Sequence, residues 1–159
     1  MRYGIKKDLK NIIKTLDKPN DLYYNWVRTK NKKERRWKKM KQLKNKTSII
    51  IPQFNNDGTE LKNDTIRKVL ECITIENKGA TVYDNTGQWI DDNGDLYEDK
   101  NKEYTFYHNE SLITIVGIKI IIEELLNSGQ YAVALSINNN MYIIDKDDEI
   151  TTETLKELY

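Results

Sequence analysis

A chain of 159 residues, 38% hydrophobic and 32% charged, is long enough to bury a core as one domain. Its single cysteine, Cys72, excludes an intramolecular disulfide and a cysteine-based zinc site, and the opening residues MRYGIKKDLK lack the apolar run of a secretion signal, so an intracellular protein is expected. The net charge of +1 hides a division: residues 1–46 carry seventeen Lys/Arg against four acids, a net of +13, whereas residues 47–159 carry nine against 21, a net of −12.

In chain order, Ile5, Leu9, Ile12, Ile13 and Leu16 recur at helical spacing until Lys18-Pro19-Asn20 breaks the pattern, which predicts a short amphipathic helix. Leu22, Tyr23, Trp26, Trp37 and Met40 then fall on one side of a second, longer helix, with Lys30 and Lys33 in the middle of that stripe. Two readings of this stretch stand open. In one, the outer face of a helical hairpin is simply solvated, with lysine stems lying along apolar surface. In the other, the distal half leaves the core and presents Lys30, Lys33, Arg35, Arg36, Trp37, Lys38, Lys39 and Lys41 to a partner, Trp and Arg being enriched where interfaces concentrate their energy.

TSIIIPQF (47–54) predicts a short strand stopped by Pro52, followed by a turn-rich loop. Asp64 is placed to cap a helix with Ile66, Val69, Leu70 and Ile73 on one face, and Cys72 beside that face reads as a small packing residue. Residues 80–109 alternate Tyr, Trp and Val with polar residues around Asn85-Thr86-Gly87 and Asn93-Gly94, the pattern of a three-stranded antiparallel meander. Residues 112–126 predict a helix capped near Asn109 or Ser111, with β-branched content that leaves a strand open for its first half. That segment is interrupted by Lys119, Glu123 and Glu124 and is too short to span a bilayer. YAVALSI and MYIID flank Asn138-Asn139-Asn140 as a hairpin, and residues 151–158 close with a short helix. The expected fold is α+β: an N-terminal helical hairpin with a long basic helix (1–46), followed by an acidic body (47–159) in which a small antiparallel sheet packs against two or three helices.

Catalytic equipment is sparse. His108 lies in a predicted strand with no visible nucleophile, and it is assigned no role. An EF-hand is excluded because the position five before Gly94 is Trp89. Asp84 with Glu98-Asp99-Lys100 loosely fits an acid, acid-x-lysine arrangement able to hold magnesium on adjacent strands, against the plainer reading of an exposed hairpin with solubilising charges. No glycine-rich phosphate loop or Gly-x-Ser-x-Gly elbow occurs. These features point to a protein that acts by binding and is not an enzyme, without cofactor, metal, membrane or small-molecule ligand.

In length and general character, from MRYGIKKDLKNIIKTL to TTETLKELY, the chain resembles the small phage- and prophage-encoded type II-A anti-CRISPR proteins that act on staphylococcal Cas9. The resemblance implies stoichiometric, non-catalytic inhibition of a Cas9–guide RNA complex in the bacterial cytoplasm, with block of target DNA cleavage at the HNH nuclease domain and contact with bound nucleic acid left open. The alternative is a nucleic-acid-binding or autoregulatory phage protein using the basic N-terminal segment directly on phosphates.

Overall fold

The structure is a computed structural model that describes residues 42–90 and 93–159. Its first strand, β1 (Asn45–Pro52), is followed by helix α1 (Asp64–Asn77), the long strands β2 (Thr81–Ile90) and β3 (Leu96–His108), helix α2 (Leu112–Asn127), strands β4 (Ala132–Ile137) and β5 (Asn140–Asp145), and the short helix α3 (Thr152–Glu157). All pairings are antiparallel and the five strands lie in the order β2-β3-β1-β4-β5. β1 is therefore central, and α1 and α2 each carry the chain past one intervening strand, which is the split β-α-β arrangement of ferredoxin-like folds with β5 added at one edge.

The ladder register decides what is buried. Thr47, Ile49 and Ile51 of β1 share a face with Phe106 of β3 and with Leu135 and Ile137 of β4, and against that face pack Ile66, Val69, Leu70 and Ile73 of α1 and Ile115, Ile118, Ile121, Ile122 and Leu125 of α2. Each apolar side chain of this set taken out of water contributes about 1.5–3 kcal/mol. On the opposite face Ser48 and Thr105 meet through their hydroxyls at 2.6 Å, as polar residues buried in a sheet must. The two helices cross closely because residue 117 is glycine: a Cβ there would stand 2.7 Å from Ile73 Cδ1.

Local signals account for most boundaries. Asn63 caps α1 by accepting from the Ile66 amide, one residue ahead of the expected Asp64, and Ser111 caps α2 by accepting from Thr114. Thr151 and Thr154 form a reciprocal capping box on α3. Asn138 and Asn139, both with positive φ (51° and 71°), supply the tight turn between β4 and β5.

The expected architecture is corrected in two respects. Among the described residues the α+β body holds one five-stranded antiparallel sheet with three helices, larger than the small sheet expected, and the predicted helical hairpin with its long basic helix lies outside the described residues. The predicted meander over 80–109 is a two-stranded ribbon, because Asn85-Thr86-Gly87 runs straight through β2 and the chain turns only after Ile90. Gly87 serves close packing there, since a Cβ would stand 3.0 Å from Asn101 Nδ2. The helix expected over 112–126 is borne out and runs from Leu112 with Ser111 as its cap, so the strand left open for its first half is not formed and the β-branched content yields to burial against the sheet. No helix among the described residues is long and apolar enough to cross a membrane.

Candidate functional site

β2 and β3 pair over ten consecutive rungs, from Thr81↔Thr105 to Ile90↔Leu96, without a bulge. β1 accompanies β3 only as far as Pro52↔Asn101, plus one further bond from Gln53 N to Lys100 O at 2.8 Å. Beyond that point the two long strands pair with no third strand among the described residues for four rungs, about 10 Å. The strands TVYDNTGQWI and LYEDKNKEYTFYH continue past the core, and their apolar members there emerge exposed: Trp89 is 41% exposed, Ile90 67% and Leu96 64%.

Trp89 and Tyr97 are directly opposite, with ring centroids 4.5 Å apart and planes 14° from parallel, a stacked cross-strand pair. Trp89 Nε1 donates to Asp99 Oδ2 at 2.9 Å, and Gln88 Nε2 donates to Glu98 Oε2 at 3.1 Å. The first of these bonds holds the indole along the ribbon, and the second ties the two strands on the opposite face. Residues 84–99 contain six acids, Asp84, Asp91, Asp92, Asp95, Glu98 and Asp99, and no Lys or Arg. At the root, Asp84 lies 4.0 Å from Lys102 Nζ and accepts from Gln53 Nε2 at 3.3 Å.

The register disposes of the magnesium arrangement. Asp84 stands opposite Lys102 and Glu98 opposite Gln88, four positions away along the strand or about 13 Å, and Asp99 points to the other face. Among the described residues no three His, Cys, Asp or Glu side chains converge on one point.

A second polar cluster is buried at the far end of the sheet. His108 Nε2 and Tyr159 Oη each lie 2.8 Å from Thr47 Oγ1, and the His108 and Tyr159 rings meet edge to face at 5.1 Å. Burial holds the imidazole below its ordinary pKa, hence neutral, and raises the Tyr159 phenol. His108 Nδ1 and Asn45 Nδ2 are buried without a hydrogen-bond partner, on residues that face each other across the β1/β3 ladder. Neither Thr47 nor Tyr159 was singled out in the sequence, where they stand 112 positions apart. Cys72 is half-buried, and burial together with Glu71 raises its thiol pKa, which disfavours the reactive thiolate.

An open polar pocket of about 480 Å3 lies between the loop 55–63 and the end of α2. Its walls are already engaged: Asn56 Nδ2 donates to Gly129 O at 2.6 Å, Asn63 Nδ2 to Glu124 Oε2 at 3.0 Å, and Thr59 bonds to Asp57 hold that carboxyl below its ordinary pKa. The basic residues predicted to bind a partner, Lys30, Lys33, Arg35, Arg36, Trp37, Lys38 and Lys41, lie outside the described residues.

No protein-family model matches the chain, and no curated protein matches it. Among solved structures it is similar to a phage SAM lyase in complex with S-methyl-5'-thioadenosine, with 15% identity, a TM-score of 0.49, and coverage of 69% of this chain and 98% of that one. The apo state of a phage SAM lyase gives 14% identity, a TM-score of 0.47 and coverage of 71% and 100%. CutA of Pyrococcus horikoshii gives 15%, 0.34, and 72% and 95%. The expectation that the chain is not an enzyme is corrected on this finding and withdrawn, because two of these structural neighbours are lyases.

Proposed function

We propose that the chain is an anti-CRISPR protein that binds a type II-A Cas9–guide RNA complex at its HNH nuclease domain and blocks target cleavage. The observation that supports a protein-docking role is the β2–β3 ribbon: a projecting two-stranded element with an uncovered, hydrogen-bonded Trp89–Tyr97 stack on a strongly acidic background. Aromatic side chains held rigid at low entropy cost are the anchors that interfaces use. HNH must close on the target strand before cleavage, so a binder seated there stops cutting and leaves target binding in place.

The test is a titration of the full chain against guide-loaded staphylococcal Cas9, with cleavage and gel shift read in parallel. Loss of cleavage at about one equivalent with the shifted band retained is expected. Unchanged cleavage at tenfold excess overturns the anti-CRISPR reading, and loss of the shifted band overturns the HNH assignment. The division of charge in the sequence favours one alternative, direct nucleic-acid binding by the basic N-terminal segment. That reading requires binding to random duplex DNA with affinity falling by orders of magnitude as salt rises.

A further inference from the structure

We infer that the outer edge of β2 is a docking rail for an extended, Lys/Arg-bearing segment of a partner protein, which adds to the sheet as a sixth strand. This goes beyond the identity of the partner and holds for any protein that presents such a segment.

β2 ends the strand order, so its outward backbone N–H and C=O groups have no ladder partner among the described residues. Natural sheets blunt such an edge with lysine, proline, a bulge or brevity. β2 has none of these: its ten residues TVYDNTGQWI include no Lys, Arg or Pro, and its register with β3 is unbroken along the whole length. Val82, Tyr83, Trp89 and Ile90 are 41–67% exposed along it, on both faces of the ribbon, and so would flank an added strand from either side. Main-chain hydrogen bonds supply affinity in this mode of recognition, and alternate side chains supply selectivity.

Charge decides the occupant. Residues 84–99 hold six acids and no cation, so a basic strand meets Asp84 across the new ladder and, one strand further in, the negative field of Glu98 and Asp99 on β3. A second copy of β2 brings two acidic ribbons side by side with no cation in 84–99 to offset them, and that repulsion disfavours pairing between copies. Trp89 adds a ring face for a Lys or Arg head group.

The experiment uses the full chain and synthetic ten-residue peptides, one alternating Lys and Val, one alternating Glu and Val, and one alternating Lys and Gly, with amide hydrogen exchange as the readout. The Lys/Val peptide is expected to protect amides within 82–90 and to bind at least tenfold more tightly than the Glu/Val and Lys/Gly peptides. The triple variant Asp84→Asn, Glu98→Gln, Asp99→Asn is expected to lose at least tenfold in affinity while core amides in β1 and α2 keep their protection, since the amide oxygen placed at position 99 still accepts from Trp89. Equal binding of the Lys/Gly peptide, protection outside β2, or undiminished binding to the triple variant overturns the inference. Protection of β2 that grows with protein concentration in the absence of peptide also overturns it, in favour of pairing between copies. A negative Cas9 titration alongside a positive peptide result refutes the proposed function and leaves the rail standing.

Discussion

The central sheet and the β2–β3 ribbon are built from the same two strands, yet they answer to different forces. Near Phe106 and Ile49 every inward side chain is sealed by α1 and α2, and stability comes from apolar area removed from water. Past Pro52↔Asn101 no described element packs behind the strands, and the ribbon holds its shape through cross-strand pairs such as Trp89–Tyr97 and the bond from Trp89 to Asp99. A two-stranded ribbon alone is marginal in water. Its length and its uncovered aromatics therefore have no explanation in the packing of the body.

Substitutions can widen or close that contrast. Phe106→Ala, at a fully buried site, is expected to cost about 3–5 kcal/mol in urea denaturation, enough to threaten the fold. A cost under about 1 kcal/mol would mean that the sheet face is not sealed. Gly117→Val drives a side chain into Ile73 and is expected to cost about 1–3 kcal/mol, with exchange protection lost in both α1 and α2.

Thr47→Val leaves the His108 and Tyr159 polar atoms without their shared partner and is expected to cost about 1–3 kcal/mol. The same cluster makes stability fall with acid. His108 is depressed below 6.5 in the folded protein, so the unfolded chain takes up the proton first, and the unfolding free energy falls as pH drops through about 6.5 toward the lower folded value. Denaturation midpoints between pH 8 and 5 measure this, and His108→Gln is expected to flatten the profile. The smallest effect belongs to the ribbon: Trp89→Ala is expected to change global stability by less than about 1.5 kcal/mol while exposing the 86–99 amides to exchange. If instead it unfolded the protein as Phe106→Ala does, the two regions would not be distinct.

Much of the body is legible in the sequence because its signals are local. Ile66, Val69, Leu70 and Ile73 at helical spacing, the asparagine turn at 138–139 and the cap before α3 each follow from neighbours within a few positions. The ribbon misled for a physical reason: Asn85-Thr86-Gly87 has the residues of a turn, but the ladder partners across from it and the close approach of Asn101 to Gly87 keep it extended. The acids of the ribbon were visible as composition and were set against the basic N-terminal segment, whereas their gathering on one projecting element depends on register, which composition does not encode. The Thr47–His108–Tyr159 cluster could not be found at all without the fold, because it joins residues from three distant parts of the chain.

The central place of β1 carries a kinetic consequence. It precedes every other described strand in the chain, yet both of its neighbours arrive much later: Thr47 meets His108 across 61 positions and pairs with Ile137 further on still. The β2–β3 and β4–β5 hairpins need only short loop closures, so β1 is expected to enter last, as the strand that joins two halves. Folding is then limited by one long-range insertion. Until it occurs, the hydrophobic face of the sheet is not assembled, and the acidic ribbon, marginal by itself, pairs only transiently.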